Sequence, residues 1–248
     1  MIEELSVAEG DGPSRPRRNP LHEVTNGRAG GIAATARSWP TLAIAFVLVI
    51  AWVGAFFIAG GPTPQFAGVS AAALRAGRLY TPLSYIFVHA GPWHLWMNVS
   101  ALLVVGEPVA SRFGKHPCGR VMFFAFFLTC GALGGLGYVV FHPFGAIPAV
   151  GASGAICGLW GGASRVVGRE RDLAPLRSKV VADQLIQLIK SNLFLVGLFL
   201  LLALWSGLPI GIAWEAHAVG FAAGLLLIGP SLRLSERPAA AHIERTAA

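Results

Sequence analysis

Gly151-Ala152-Ser153-Gly154-Ala155-Ile156-Cys157-Gly158-Leu159-Trp160-Gly161-Gly162 reads as the opening of an apolar helix with a serine in its first turn and glycines at 154, 158 and 162. Residues four apart share a helix face, so this helix carries a bare stripe along which a neighbour can approach closely. Pro148 and Gly151 mark the end of the preceding loop. Ser153 therefore falls near a helix N-terminus, where free backbone N–H groups and the helix dipole favour negative charge. A serine beside such a stripe can equally be a packing residue or a cap, and four residues alone leave both readings open.

The rest of the chain says what medium surrounds that helix. Of 248 residues, 54% are hydrophobic and 12% charged, and the mean hydropathy is +0.63. A soluble domain is about a quarter charged. The 31 glycines suit a helical membrane protein, where glycine is commoner than in soluble helices. Apolar segments near 41–59, 94–111, 121–141, 153–167, 192–205 and 213–232 could each cross a bilayer about 30 Å thick, with the fourth and fifth short. A compact bundle that thins the bilayer accommodates shorter helices.

Loop charges test the count of six independently. Seventeen of the 19 lysines and arginines fall in the N-terminal tail, the second-to-third loop, the fourth-to-fifth loop and the C-terminal tail, leaving only Arg75 and Arg78 opposite. By the positive-inside rule both termini are cytoplasmic. The expected organisation is a flexible cytoplasmic tail over 1–40, a six-helix membrane domain over 41–232 and a cytoplasmic tail over 233–248. Nucleic acid is not needed to explain the net charge of +7. The first outside loop, about 60–93, is too long for a plain turn. It is expected to lie at the interface or to pack against the bundle. Cys118, Cys130 and Cys157 share no metal-type spacing, and no disulfide framework, metal or cofactor is expected.

Polar groups in hydrocarbon are costly and by default mark function. His217 lies about four residues into the last apolar segment, at the depth expected for Ser153, and Gly220 and Gly224 share its face. A histidine is the natural base to take a serine proton and return it to a leaving amine, although a lone buried histidine can also simply bond a neighbouring helix. His94 and Asn98, one turn apart on the second segment, can both donate hydrogen bonds to an oxyanion or else glue two helices together. His89 and His94 are five apart and off one face, so a metal pair is not expected. No carboxylate is well placed beside His217, because Asp172 and Asp183 belong to the cytoplasmic loop and Glu215 points to another face of its helix. The expectation is a serine–histidine dyad without a third, acidic member.

Three motifs in order resemble the rhomboid intramembrane serine proteases, over roughly residues 42–232. His89-Ala-Gly-Pro-Trp-His94-Leu-Trp-Met-Asn98 is similar to the family's His-x4-His-x3-Asn. Gly151-Ala152-Ser153-Gly154 is similar to its Gly-x-Ser-Gly, and His217-Ala-Val-Gly220-Phe-Ala-Ala-Gly224 to its His-x2-Gly-x3-Gly. The resemblance implies an all-α, six-transmembrane-helix bundle with a long interfacial first outside loop. It implies Ser153 as nucleophile and His217 as general base. His94 and Asn98 would stabilise the oxyanion, and His89 would organise or hydrate the outer end of the site, with Gly151, Gly154, Gly220 and Gly224 in support.

The implied substrates are membrane proteins cut in or beside a transmembrane helix near its outer end. Entry would be lateral, past the fifth helix and the 206–212 loop. The implied setting is a bacterial inner membrane with the site opening to the outer face, and the implied partners are substrate helices and membrane lipid. Two positions depart from the family pattern. Tyr80-Thr81 stand, without a gap, where many members carry Trp-Arg (a small gap would bring Arg78 onto that arginine but still leave no tryptophan), and Cys157 stands where a Tyr or Phe often stacks on the catalytic histidine. The first loop is then expected to be held by different contacts, and His217 to lack that ring. The alternative is a proteolytically inactive rhomboid-like protein that binds transmembrane helices. Its usual sign, loss of the serine or histidine, is absent. A soluble hydrolase is excluded by the apolar segments and by the lack of the Gly-x-Ser-x-Gly elbow.

Overall fold

A computed structural model describes residues 39–61, 63–167, 172–207 and 211–246. The tail over 1–38 lies outside the described residues. Among them the structure is all-helical apart from two isolated bridges, Val69 with Ala149 and Val166 with Leu173. The helices are α1 (Trp39–Ala59), α2 (Pro64–Ala67), α3 (Ala71–Arg75), α4 (Thr81–Ser84), α5 (Pro92–Phe113), α6 (Pro117–Phe141), α7 (Ser153–Ala163), α8 (Lys179–Ser206) and α9 (Trp214–Thr246), with a 3-10 turn at Tyr85–Phe87.

Helix ends follow from local chemistry. Pro92 and Pro117 start α5 and α6 where a missing N–H costs nothing. The Ser178 hydroxyl accepts from the Val181 N–H at the start of α8, and Gly207, with φ +69°, ends it in the left-handed conformation.

The fold is a multi-pass membrane bundle built around α7. α9 packs along both α6 and α7, α5 closes on α7, α1 lies on α5, and α8 touches the bundle sparsely. Phe113, Phe123, Phe126, Leu102 and Leu159 fill the interior. Among the described residues four helices, α1, α6, α8 and α9, are long and apolar enough to cross a bilayer by length and composition. The other two expected spans fall short for different reasons. α5 has the length but carries His94, Asn98, Glu107 and Arg112. α7 has only 11 residues, about 16 Å of rise, and ends at Ala163 rather than near 167. α7 is screened by its neighbours, which removes the need for a long apolar exterior, whereas α5 leaves Trp93, Trp96 and Val104 exposed on its outer face.

α8 differs most from expectation. It begins at Lys179, so 13 residues read as cytoplasmic loop are helical, including Lys190. Lys179 pairs with Asp183 one turn on, and the exposed Lys190 sits on a helix whose apolar residues continue past it. Charged side chains obscured a helix that the backbone continues. α9 likewise stays helical past 232, through Thr246.

The first outside loop is folded on itself. Val69 and Ala149 exchange backbone hydrogen bonds, joining it to the segment that leads into α7. Tyr80 Oη donates to Phe66 O at 3.0 Å, Ser84 Oγ to Ala67 O at 2.8 Å, and the Arg78 guanidinium to Gln65 O. Arg75 reaches Pro143 O across the loop before α7. Tyr80 and Arg78 thus hold the loop by carbonyl contacts of their own.

Candidate active site

Ser153 is the first residue of α7, and the approach to it depends on Gly151. Gly151 has φ +116°, a conformation L side chains rarely adopt, and its N–H donates to Tyr85 O at 2.9 Å. A methyl group there would lie 2.7 Å from His94 Nε2 and 3.9 Å from Asn98 Nδ2. The backbone entering Ser153 therefore runs directly past the His94 and Asn98 nitrogens. Ala152 is fully buried behind it.

His217, on the first turn of α9, places Nε2 2.7 Å from Ser153 Oγ. Its other nitrogen, Nδ1, lies 2.7 Å from Asn192 Oδ1 on α8. The Asn192 amide is oriented by its own helix, because Nδ2 donates to Leu188 O at 2.9 Å. Oδ1 can only accept, so Nδ1 carries the hydrogen and Nε2 of a neutral ring is left bare to accept from the Ser153 hydroxyl. No acidic side chain bonds His217 among the described residues. An amide occupies that place instead. Sequence reading missed Asn192 because it took 192 as the start of a helix, whereas 192 is mid-helix and faces α9.

On α5, His94 Nδ1 accepts from the Ala90 N–H at 3.4 Å, which puts the ring hydrogen on Nε2, the atom facing Gly151. Asn98 Nδ2 donates to His94 O at 2.9 Å and keeps a second hydrogen; Asn98 is buried. Two side-chain donors thus converge beside the N-terminus of α7, whose first N–H groups have no partner within the helix. His89 is buried with its ring 5.1 Å from that of His94. Burial, and then His94, hold its pKa down to about 4, so the ring is neutral at physiological pH.

The glycines bring these elements together. A methyl at Gly220 would overlap Gly154 O, and one at Gly224 would overlap Gly158 O. Residues of α7 and α9 therefore meet backbone to backbone. Tyr85, another residue the sequence did not single out, fills the other side: its hydroxyl donates to Gly131 O at 2.7 Å, and its ring packs on Gly135. Cys157 is half-buried one turn after Ser153, and no aromatic ring stacks on His217 among the described residues. Glu215 is buried and pairs with His142 at 2.7 Å, on the far end of α6, rather than turning toward His217.

The rhomboid domain matches residues 76–233 of the chain, the span that holds all of these groups. No curated protein matches the chain at a significant level.

Proposed function

The chain belongs to the rhomboid family and is an intramembrane serine protease acting on membrane proteins, and from that premise we propose which residues carry the reaction and where it takes place. Ser153 is the nucleophile and His217 the general base. The observation that carries this is the 2.7 Å contact between His217 Nε2 and Ser153 Oγ at the mouth of α7.

As Ser153 Oγ attacks the scissile carbonyl, its proton passes to Nε2. The carbonyl oxygen, now an anion, is met by His94 Nε2–H, the free Asn98 Nδ2–H and the backbone N–H of Ser153. Collapse of the tetrahedral intermediate expels the amine, which takes the proton from His217. Water activated by the same ring then releases the acyl group from Ser153. His89 organises or hydrates the outer end of this site, while Gly151, Gly154, Gly220 and Gly224 keep its walls close. No metal or cofactor takes part.

The membrane domain, 41–232, crosses the bilayer six times, with the short α7 enclosed by its neighbours. Both termini face the cytoplasm and the site opens to the outer face of a bacterial inner membrane. The distribution of lysine and arginine supports that orientation. Substrates are transmembrane segments cut near their outer ends, favoured where small or helix-weakening residues let the peptide extend. They enter laterally past α8, whose sparse packing supports such a route. The loop after α8 contributes as well, although 208–210 lie outside the described residues.

The test is cleavage of a tagged single-span substrate in liposomes by the purified protein beside Ser153→Ala. Product from the wild type alone is expected. Equal product from both would remove Ser153 as the nucleophile. No product from either, with no labelling of Ser153 by a serine-reactive fluorophosphonate, would favour a helix-binding relative that does not cut.

A further inference from the structure

We infer that Asn192 is a positioning residue that holds His217 in its reactive tautomer, and that it ties the catalytic pair to the docking of α8; this rests on Ser153 and His217 acting as nucleophile and base. Three observations carry it. The bond from His217 Nδ1 to Asn192 Oδ1 is as short, 2.7 Å, as the one from Ser153 Oγ to Nε2, so the ring is held at both nitrogens. The donation from Asn192 Nδ2 to Leu188 O prevents the amide from turning its hydrogens toward the ring, so the contact enforces one tautomer. No ring stacks on His217 among the described residues, and these two bonds supply its orientation.

An amide suits this place better than an acid. A carboxylate below the membrane surface would require desolvating a full charge, whereas a neutral acceptor fixes the tautomer without that penalty. A neutral partner gives less stabilisation to the imidazolium that forms during reaction, and its contribution is orientation. An asparagine in a membrane helix can also serve simply as polar glue between helices. The location of this one argues for more. α8 docks by Val181, Gln184, Leu188 and Asn192, a stripe at helical spacing in which Val181 and Leu188 are buried and Gln184 accepts from Trp160 Nε1 at 2.7 Å. Beyond Asn192 none of the described α8 side chains is buried. The acceptor for His217 thus sits where the docked half of α8 gives way to the undocked half. Displacement of α8 there removes the acceptor and leaves the ring free to turn.

The full chain in liposomes provides the test, with wild type, Asn192→Leu, Asn192→Asp and Ser153→Ala compared. Cleavage of a single-span substrate gives kcat and KM, and the rate of fluorophosphonate labelling reports Ser153 reactivity without a transmembrane substrate. Asn192→Leu should lower kcat and the labelling rate together by about 10- to 100-fold with KM little changed, part of the ~10²–10⁴ that a general base supplies. Asn192→Asp keeps an acceptor at Oδ1, and in its neutral form can still donate to Leu188 O. It should recover most of both rates.

Labelling within about twofold of wild type in Asn192→Leu overturns the inference even if cleavage falls, since Asn192 would then act only on α8 packing or substrate entry. A loss that Asn192→Asp does not recover overturns it as well. Cleavage by Ser153→Ala would instead remove the underlying assignment of the nucleophile, a failure separate from either of these.

Discussion

Gly220 of α9 lies against the carbonyl oxygen of Gly154 in α7, so closely that no side chain fits between them. Ser153 is the residue before Gly154, and His217 is one turn before Gly220. The spacing of the reacting pair is therefore set by a backbone contact rather than by the two side chains themselves.

Gly220→Ala should push α7 and α9 apart and lengthen the 2.7 Å contact from His217 to Ser153. We expect at least a tenfold loss of kcat, with overpacking costing about 1–3 kcal/mol of stability. Cleavage and thermal unfolding in detergent would measure both. Wild-type values in Gly220→Ala would show that the two helices are free to separate without consequence.

Gly151→Ala should damage the site from the opposite side. The residue would need a positive φ, at about 1–3 kcal/mol, and its methyl would collide with His94 Nε2. Labelling of Ser153 should fall by two orders of magnitude or more, because one oxyanion donor costs about 10²–10³ on its own. Labelling at the wild-type rate would mean that His94 is not positioned by this backbone.

His94→Ala and Asn98→Ala should each slow kcat by roughly one to three orders of magnitude while the helices persist. Circular dichroism beside cleavage kinetics would separate chemistry from folding. A slowdown of less than about twofold in both would end their assignment as oxyanion donors.

His142→Ala should destabilise the fold by about 1–3 kcal/mol, since it leaves the buried Glu215 carboxylate without the partner it holds at 2.7 Å. Adding Glu215→Gln should recover part of the loss in thermal unfolding. If the double variant is less stable by the sum of the two single losses, the pair does not act as a unit.

Reporter fusions to the N-terminus and the C-terminus should both read out as cytoplasmic, and a fusion after Gly77 as external. A C-terminal fusion that reports from outside would break the even number of crossings on which the orientation rests.

The sequence by itself determined the class of molecule and its family. Hydropathy and composition are sums over residues, and the motifs around His94, Ser153 and His217 are short runs whose spacing needs no knowledge of the fold. That the chain is an all-α membrane protein of the rhomboid family could be read there and was found. The boundaries of α7 and α8 could not be read as well. An 11-residue helix enclosed by protein and a helix that begins in a charged segment both break the rule that a span is long and apolar, a rule that describes helices facing lipid.

Only the tertiary structure decided that Asn192 meets His217 across 25 residues, that Glu215 turns to His142, and that Tyr85 fills the space beside Gly135. A side chain's partner depends on the rotation and depth of two helices relative to each other. Those are set by where glycines let backbones touch, here Gly154 against Gly220 and Gly158 against Gly224. Periodicity along one helix assigns its faces; which residue lies opposite is a property of the packed pair.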